Sequence, residues 1–225
     1  MGTAPRGTRL VCCRVSVGVK AEGAHGVDAS VSVLFVCTAN RCRSPLAEAF
    51  LRSWLADAVG VNISSCGNPD CVGDQPATVD AIEAGRRRGV DLSTHRSRPL
   101  TSDLVDAADL IVAMESTHVG EVALLDQRAW NRTFTLVEVV ARASLAGRAY
   151  PDETVTSYVD RLGEHGGRSS IFDWPPGTSI LDPSGQGRRA HLRAATLLEA
   201  KTGELADVVA GFVMPVVQRD LATGY

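Results

Sequence analysis

Four short β-branched or apolar runs, spaced by stretches of helical length, constrain this chain more than any other feature. Val31–Val36, Val61–Ser65, Asp109–Met114 and Thr133–Val137 read as strands. Ser44–Ala58, Ala77–Arg88, Ser102–Asp106, Ser116–Arg128 and Gly187–Val213 read as helices. In the first of these, Leu46, Ala49, Phe50 and Trp54 fall on one face, and Pro45 sits at an early helical position. Helical connections between strands carry the chain back to the same sheet end, so neighbouring strands run parallel and helices cover both faces. The expected fold is therefore α/β, a doubly wound four-stranded parallel sheet with helices on both faces.

The alternation begins only after residue 30. Residues 1–28 mix small and polar residues with Arg6, Arg9, Arg14 and Lys20 and read as a flexible extension. Leu10–Val19 is apolar, but Arg14 interrupts it and no small-residue cleavage site follows, so no signal peptide is expected. Arg6 stands where a myristoylation motif beginning at Gly2 needs Ser or Thr. Residues 29–225 are expected to form a single domain. Its segment 142–180, rich in glycine and proline, reads as a long excursion.

Charge and cysteine content narrow the function classes. The net charge of −3 supplies no field for nucleic acid. No uncharged run exceeds 12 residues, too short for a bilayer-spanning helix. Six cysteines form no C-x-x-C pair and suit reduced thiols in a cytoplasmic protein better than a disulfide framework. No histidine stands at zinc-ligand spacing from Cys12, Cys13, Cys66 or Cys71, so no metal is expected.

In an open parallel sheet, ligands bind beyond the carboxyl ends of the strands. The first strand ends in Cys37-Thr38-Ala39-Asn40-Arg41-Cys42-Arg43-Ser44-Pro45. A cysteine followed six residues later by arginine arises about 0.6 times by chance in this composition, and adding Ser-Pro lowers that to about 0.002. A cysteine at the mouth of a loop that opens a helix faces unpaired amide groups, which favour the thiolate. The loop can curl so that several amides converge on one phosphate. Arg43 supplies a planar fork for two phosphoryl oxygens. Ser44 can donate to the thiolate, and Asn40 tolerates the left-handed backbone that a tight cradle demands. Such a thiolate would form and then hydrolyse a cysteinyl-phosphate, which calls for a proton donor and a base. Asp182, stiffened by Pro183 and bracketed by Gly177, Gly185 and Gly187, is one candidate among many acidic residues.

At these residues the chain resembles the low-molecular-weight protein tyrosine phosphatases. The loop Cys37–Pro45 matches their nucleophile loop residue by residue. Ser65-Cys66-Gly67, Gly89-Val90-Asp91-Leu92 with His95-Arg96, Ala108-Asp109-Leu110-Ile111 with Met114, and Asp182-Pro183 resemble further segments in order. The resemblance implies a flavodoxin-like sheet of the phosphotyrosine protein phosphatase I type and a protein-tyrosine-phosphatase activity without cofactor. It makes Cys37 the nucleophile, Arg43 the phosphate binder and Asp182 the general acid and base. Thr38, Ala39, Asn40, Arg41 and Cys42 become the substrate-binding loop, and Asn40, Ser44 and His95 the hydrogen-bond network that shapes it. The implied substrates are a phosphorylated protein or a small phosphomonoester; nothing implies an oligomeric state. Because relatives pair cysteines in these places, a regulatory Cys37–Cys42 disulfide is also expected.

The departures bear on substrate. Ala39 stands where the family usually has glycine, and Arg41 where an uncharged residue is more frequent, adding a cation at the rim. The aromatic residues that often line the rim are missing from Asn68–Gly73 and from the residues after Asp182-Pro183; Trp174 would substitute if the excursion folds over the site. Two alternatives remain. One is arsenate reductase with an external small thiol, since no resolving cysteine follows Cys71. The other is a non-catalytic oxyanion-binding protein, disfavoured because a binder needs neither Cys37 nor Asp182.

Overall fold

The computed structural model describes residues 30–164 and 177–213. The extension at 1–28, and with it Cys12 and Cys13, lies outside the described residues, as does Trp174. Strands β1 (Val31–Val36), β2 (Val61–Cys66), β3 (Leu110–Ala113) and β4 (Thr133–Thr135) form one sheet of order β2-β1-β3-β4 in which every pairing is parallel. Helices α1 (Arg43–Trp54), α2 (Val79–Arg86), α3 (Ser102–Asp106), α4 (Ser116–Leu125), α5 (Leu136–Ala146), α6 (Val155–Glu164) and α7 (Gly187–Val213) surround it. The doubly wound α/β arrangement read from the alternation is the one observed.

The two sheet faces bury different cores. Val33, Phe35, Val112 and Phe134 pack with Leu46, Phe50, Leu51, Leu198 and Leu205 of α1 and α7. On the other face, Leu34, Val36 and Ile111 meet Val105 of α3 and Val122 of α4. Alternate residues of β1 serve alternate faces, as the period of two requires. Trp54 departs from the helical pattern: it is 54% exposed, beyond the buried stripe, and its indole lies 3.4 Å from where a Cβ on Gly203 of α7 would sit.

Between residues 133 and 164 the structure differs from the sequence reading. The β-branched run Thr133–Val137 predicts a strand throughout, but β4 stops at Thr135. Thr135 accepts from the Glu138 amide at 3.2 Å and its own amide donates to Glu138 Oε2 at 3.2 Å, a reciprocal cap that starts α5. Leu136, Val139, Val140 and Ala143 then bury at helical spacing. The supposed excursion likewise contains α6, whose Tyr158, Val159 and Leu162 face the core. Buried Arg142 bridges the two helices. Its Nε donates to Glu138 Oε1 at 2.9 Å, and its Nη1 donates to the Leu162 and Gly163 carbonyls at 2.8 and 3.0 Å. The last carbonyls of a helix have no partner within it, so the guanidinium completes the end of α6.

Strand order sets the position of the site. The chain passes from β1 to β2 on one side and to β3 on the other, so a crevice opens beyond the ends of β1 and β3. The registers Val36↔Cys66 and Val36↔Ala113 bring three strand ends level there. Cys37, Gly67 and Met114 are the next residues along each strand.

Candidate active site

The Cys37–Cys42 loop wraps the amino end of α1. That helix has no side-chain cap and no acidic residue in its first turn, which leaves its amide field to an anion. Asn40 holds the loop in shape. Its φ is +51°, the left-handed conformation expected from sequence. Its Nδ2 donates to Ser44 Oγ and to Ser65 Oγ, both at 2.9 Å. Its Oδ1 accepts from the Arg98 amide at 3.0 Å, and its backbone carbonyl accepts from His95 Nε2 at 2.6 Å. A carbonyl only accepts, so His95 carries its proton on Nε2. Ala39 causes no strain, because among non-glycine described residues positive φ is confined to Asn40 and Asp74.

The Cys37 sulfur lies 3.0 Å from Ser44 Oγ, which also reaches the Cys66 carbonyl at 3.2 Å. Ser44 already accepts from Asn40, so its one hydrogen chooses between these two acceptors. A thiolate accepts and never donates, and it turns that hydrogen to sulfur. Gly67 allows the loop after β2 to close on this one: a Cβ there would sit 2.9 Å from the Thr38 carbonyl oxygen and 2.4 Å from Cys71 Sγ. Cys42 packs in the core, where burial first and the neighbouring Cys37 next push its thiol up to about 12.

Arg43 is 1% exposed and all four of its terminal N–H groups are engaged. Nη1 donates to Glu115 Oε1 and, at 3.0 Å, to the Ile180 carbonyl. Nη2 donates to Thr38 Oγ1 at 3.1 Å and to Asp182 Oδ2 at 2.8 Å. Asp182 reaches the site because Ile180 is buried and its amide donates to the Met114 carbonyl at 2.8 Å, beyond the end of β3. Burial works to raise the Asp182 pKa, but hydrogen bonds from Ser184 and the Arg43 charge outweigh it and hold the carboxyl below its usual range. Arg41, half-buried, turns its Nε to the Pro76 carbonyl at 2.8 Å, where α2 approaches the loop.

Of the residues singled out in the sequence, the hydrogen bonds above bring together Cys37, Thr38, Asn40, Arg43, Ser44, His95 and Asp182; Ala39, Arg41 and Cys42 belong to the same loop, with Arg41 turned to Pro76 and Cys42 to the core. The sequence reading missed Glu115, Ser65 and His118, which also contact the loop. Glu115 and His118 were detectable, since they follow the end of β3 and so belong to the same sheet edge as Cys37. Among the described residues no group of side chains could hold a metal ion, and no helix is long and apolar enough to cross a membrane.

The profile of the low molecular weight phosphotyrosine protein phosphatases matches residues 32–153. The chain belongs to that family. The match spans β1 through α5 and includes the whole nucleophile loop. Among curated relatives, the low molecular weight protein-tyrosine-phosphatase Etp of Escherichia coli K12 is 38% identical over 102 residues, covering 45% of this chain and 66% of its own. A protein-arginine-phosphatase of Bacillus subtilis is 40% identical over 115 residues, covering 49% and 73%. Among solved structures, a mutant of YwlE from Bacillus subtilis superposes with a TM-score of 0.60 at 29% identity, covering 80% of this chain and 99% of its own.

Proposed function

We propose that this member of the family hydrolyses phosphomonoesters through a cysteinyl-phosphate, with phosphotyrosine in proteins as the leading substrate. The observation that carries the reading is the Cys37 sulfur at 3.0 Å from the Ser44 hydroxyl, in an uncapped helix-opening loop that also holds buried Arg43. Cys37 attacks phosphorus as the thiolate while the P–O bond to the leaving group breaks, and Asp182 gives that oxygen its proton. Water then attacks phosphorus, the S–P bond breaks, Asp182 takes the water proton, and inorganic phosphate leaves. Two carboxylates, a carbonyl and a threonine hydroxyl hold the Arg43 fork. A phosphoryl dianion competes for that fork and, by releasing Asp182 from the arginine, favours its protonation. We place the enzyme in the cytoplasm.

Substrate class is the open choice, since curated relatives include a tyrosine and an arginine phosphatase. Among the described residues, Leu181 next to Asp182 is 75% exposed and supplies an apolar side chain there. The deciding experiment assays one preparation on an aryl phosphate, a phosphotyrosyl peptide, a phosphoarginyl peptide, and arsenate with small thiols. Release of phosphate from the aryl and tyrosyl substrates, without arsenite formation, is expected; arsenite as the sole product would overturn the reading. In the same assay, Arg41→Ile should raise KM for peptides with acidic flanks more than KM for the simple aryl phosphate.

Cys42 lies in the same loop as Cys37, five residues on, and both thiols are free and buried. Peroxide would convert the Cys37 thiolate to a sulfenic acid, which the Cys42 thiol captures as a disulfide with loss of water. Wild type inactivated by peroxide should then regain activity with a thiol reductant, and Cys42→Ser much less. Equal recovery would assign Cys42 to packing alone.

A further inference from the structure

The reaction scheme above uses the Thr38 hydroxyl only as an acceptor for Arg43 and gives no part to His118. His118 is buried at the start of α4, and its Nδ1 accepts the Glu115 backbone amide at 3.1 Å. An amide only donates, so Nδ1 is bare and the neutral ring carries its hydrogen on Nε2. That nitrogen lies 3.0 Å from Thr38 Oγ1, to which Arg43 Nη2 also donates at 3.1 Å. Burial first, and then the Arg43 charge, push the His118 pKa down to about 4, consistent with the neutral ring that the hydrogen bonds require.

A threonine hydroxyl has two acceptor lone pairs and one hydrogen. His118 and Arg43 fill both lone pairs, so the hydrogen must take the remaining direction about the oxygen. Thr38 is adjacent to Cys37, and its Oγ1 lies within hydrogen-bond distance of the Arg43 fork, so the oxygen stands at the cradle that the fork and the loop amides make. We propose that the Thr38 hydroxyl donates a hydrogen bond to a phosphoryl oxygen of the substrate, and that His118 is the positioning residue that fixes its direction. The inference rests on the phosphatase reading and adds to it a side-chain donor among the loop amides.

Without His118 the Thr38 hydroxyl is free to turn and act as an acceptor instead, so the two residues should function as one unit. That coupling is measurable in a double-mutant cycle. With an aryl phosphate, Thr38→Val should lower kcat/KM about tenfold and weaken competitive inhibition by inorganic phosphate by a similar factor, the scale of a hydrogen bond to a charged group. Thr38→Ser should recover most of that loss. His118→Phe should cost about the same as Thr38→Val, and the double variant no more than the worse single. Multiplicative losses would overturn the proposal, as would Thr38→Val and Thr38→Ser behaving alike. If His118→Phe does not fold, the Thr38 pair still decides. The ring nitrogen shifts of His118 in wild type are a further check: they should report the Nε2–H tautomer at neutral pH, and the Nδ1–H tautomer would sink the idea. Residual turnover in every variant keeps this outcome separate from failure of the phosphatase reading, which would appear as turnover surviving loss of Cys37.

Discussion

Cys37→Ser is expected to abolish turnover, by a factor of about 10⁴ or more, the scale seen when a nucleophile is removed from a concerted site. Phosphate or vanadate should still bind. The two expectations have separate physical sources. The amide field of uncapped α1 and the Arg43 fork make the oxyanion site, and neither includes the sulfur. The Asn40, Ser44 and Ser65 hydrogen bonds that set the loop run through side chains that the substitution leaves in place. A serine hydroxyl is far harder to deprotonate than a thiol, and serine oxygen is a poorer leaving group from phosphorus than a thiolate, so turnover fails although geometry persists. Inhibitor titration monitored by calorimetry gives the binding half and a steady-state assay the turnover half. A serine variant that kept a tenth of wild-type activity would exclude covalent catalysis through Cys37.

Asp182→Asn should slow hydrolysis of poorly activated phosphates by about 10²–10⁴. A substrate whose leaving phenol is acidic should lose much less, because that oxygen departs without needing a proton. The structure adds a second consequence. Asp182 bonds Arg43 and is held below the usual carboxylate range, so before substrate arrives it is ionised at neutral pH. Replacing this carboxylate with a neutral amide removes one negative charge beside the cradle. Inorganic phosphate should therefore bind the variant at least as tightly as wild type while turnover falls. Equal rate losses on activated and unactivated substrates would place the general acid elsewhere.

The fold was legible where periodicity was strong. β1 and α7 have the boundaries that the apolar pattern predicts, because a short continuous apolar run marks a buried strand and a long amphipathic helix repeats its period over many turns. The reading failed at Thr135–Ala146. There β-branched residues suggested a strand, but the Thr135–Glu138 cap and four buried positions at helical spacing won. It failed again at α6, where Gly163, Gly166 and Gly167 suggested irregular chain. Gly163 is tolerated within α6, whose final carbonyls are satisfied by Arg142 from another helix.

The sequence by itself determined the nucleophile loop. Its cysteine, asparagine, arginine, serine and proline are neighbours in the chain, and each is chosen by local needs: a strand end, a left-handed residue, a helix start. Only the tertiary structure decided what faces that loop. Glu115 and His118 arrive because β3 pairs with β1 in a register that levels their ends. Asp182 arrives because buried Ile180 gives its amide to Met114 and its carbonyl to Arg43, 137 residues away in the chain. The tertiary structure also decided that the Arg43 fork is closed by two carboxylates, Thr38 and a carbonyl. A buried guanidinium must satisfy its hydrogens with whatever acceptors the fold brings near, and no local pattern in the sequence specifies which those are.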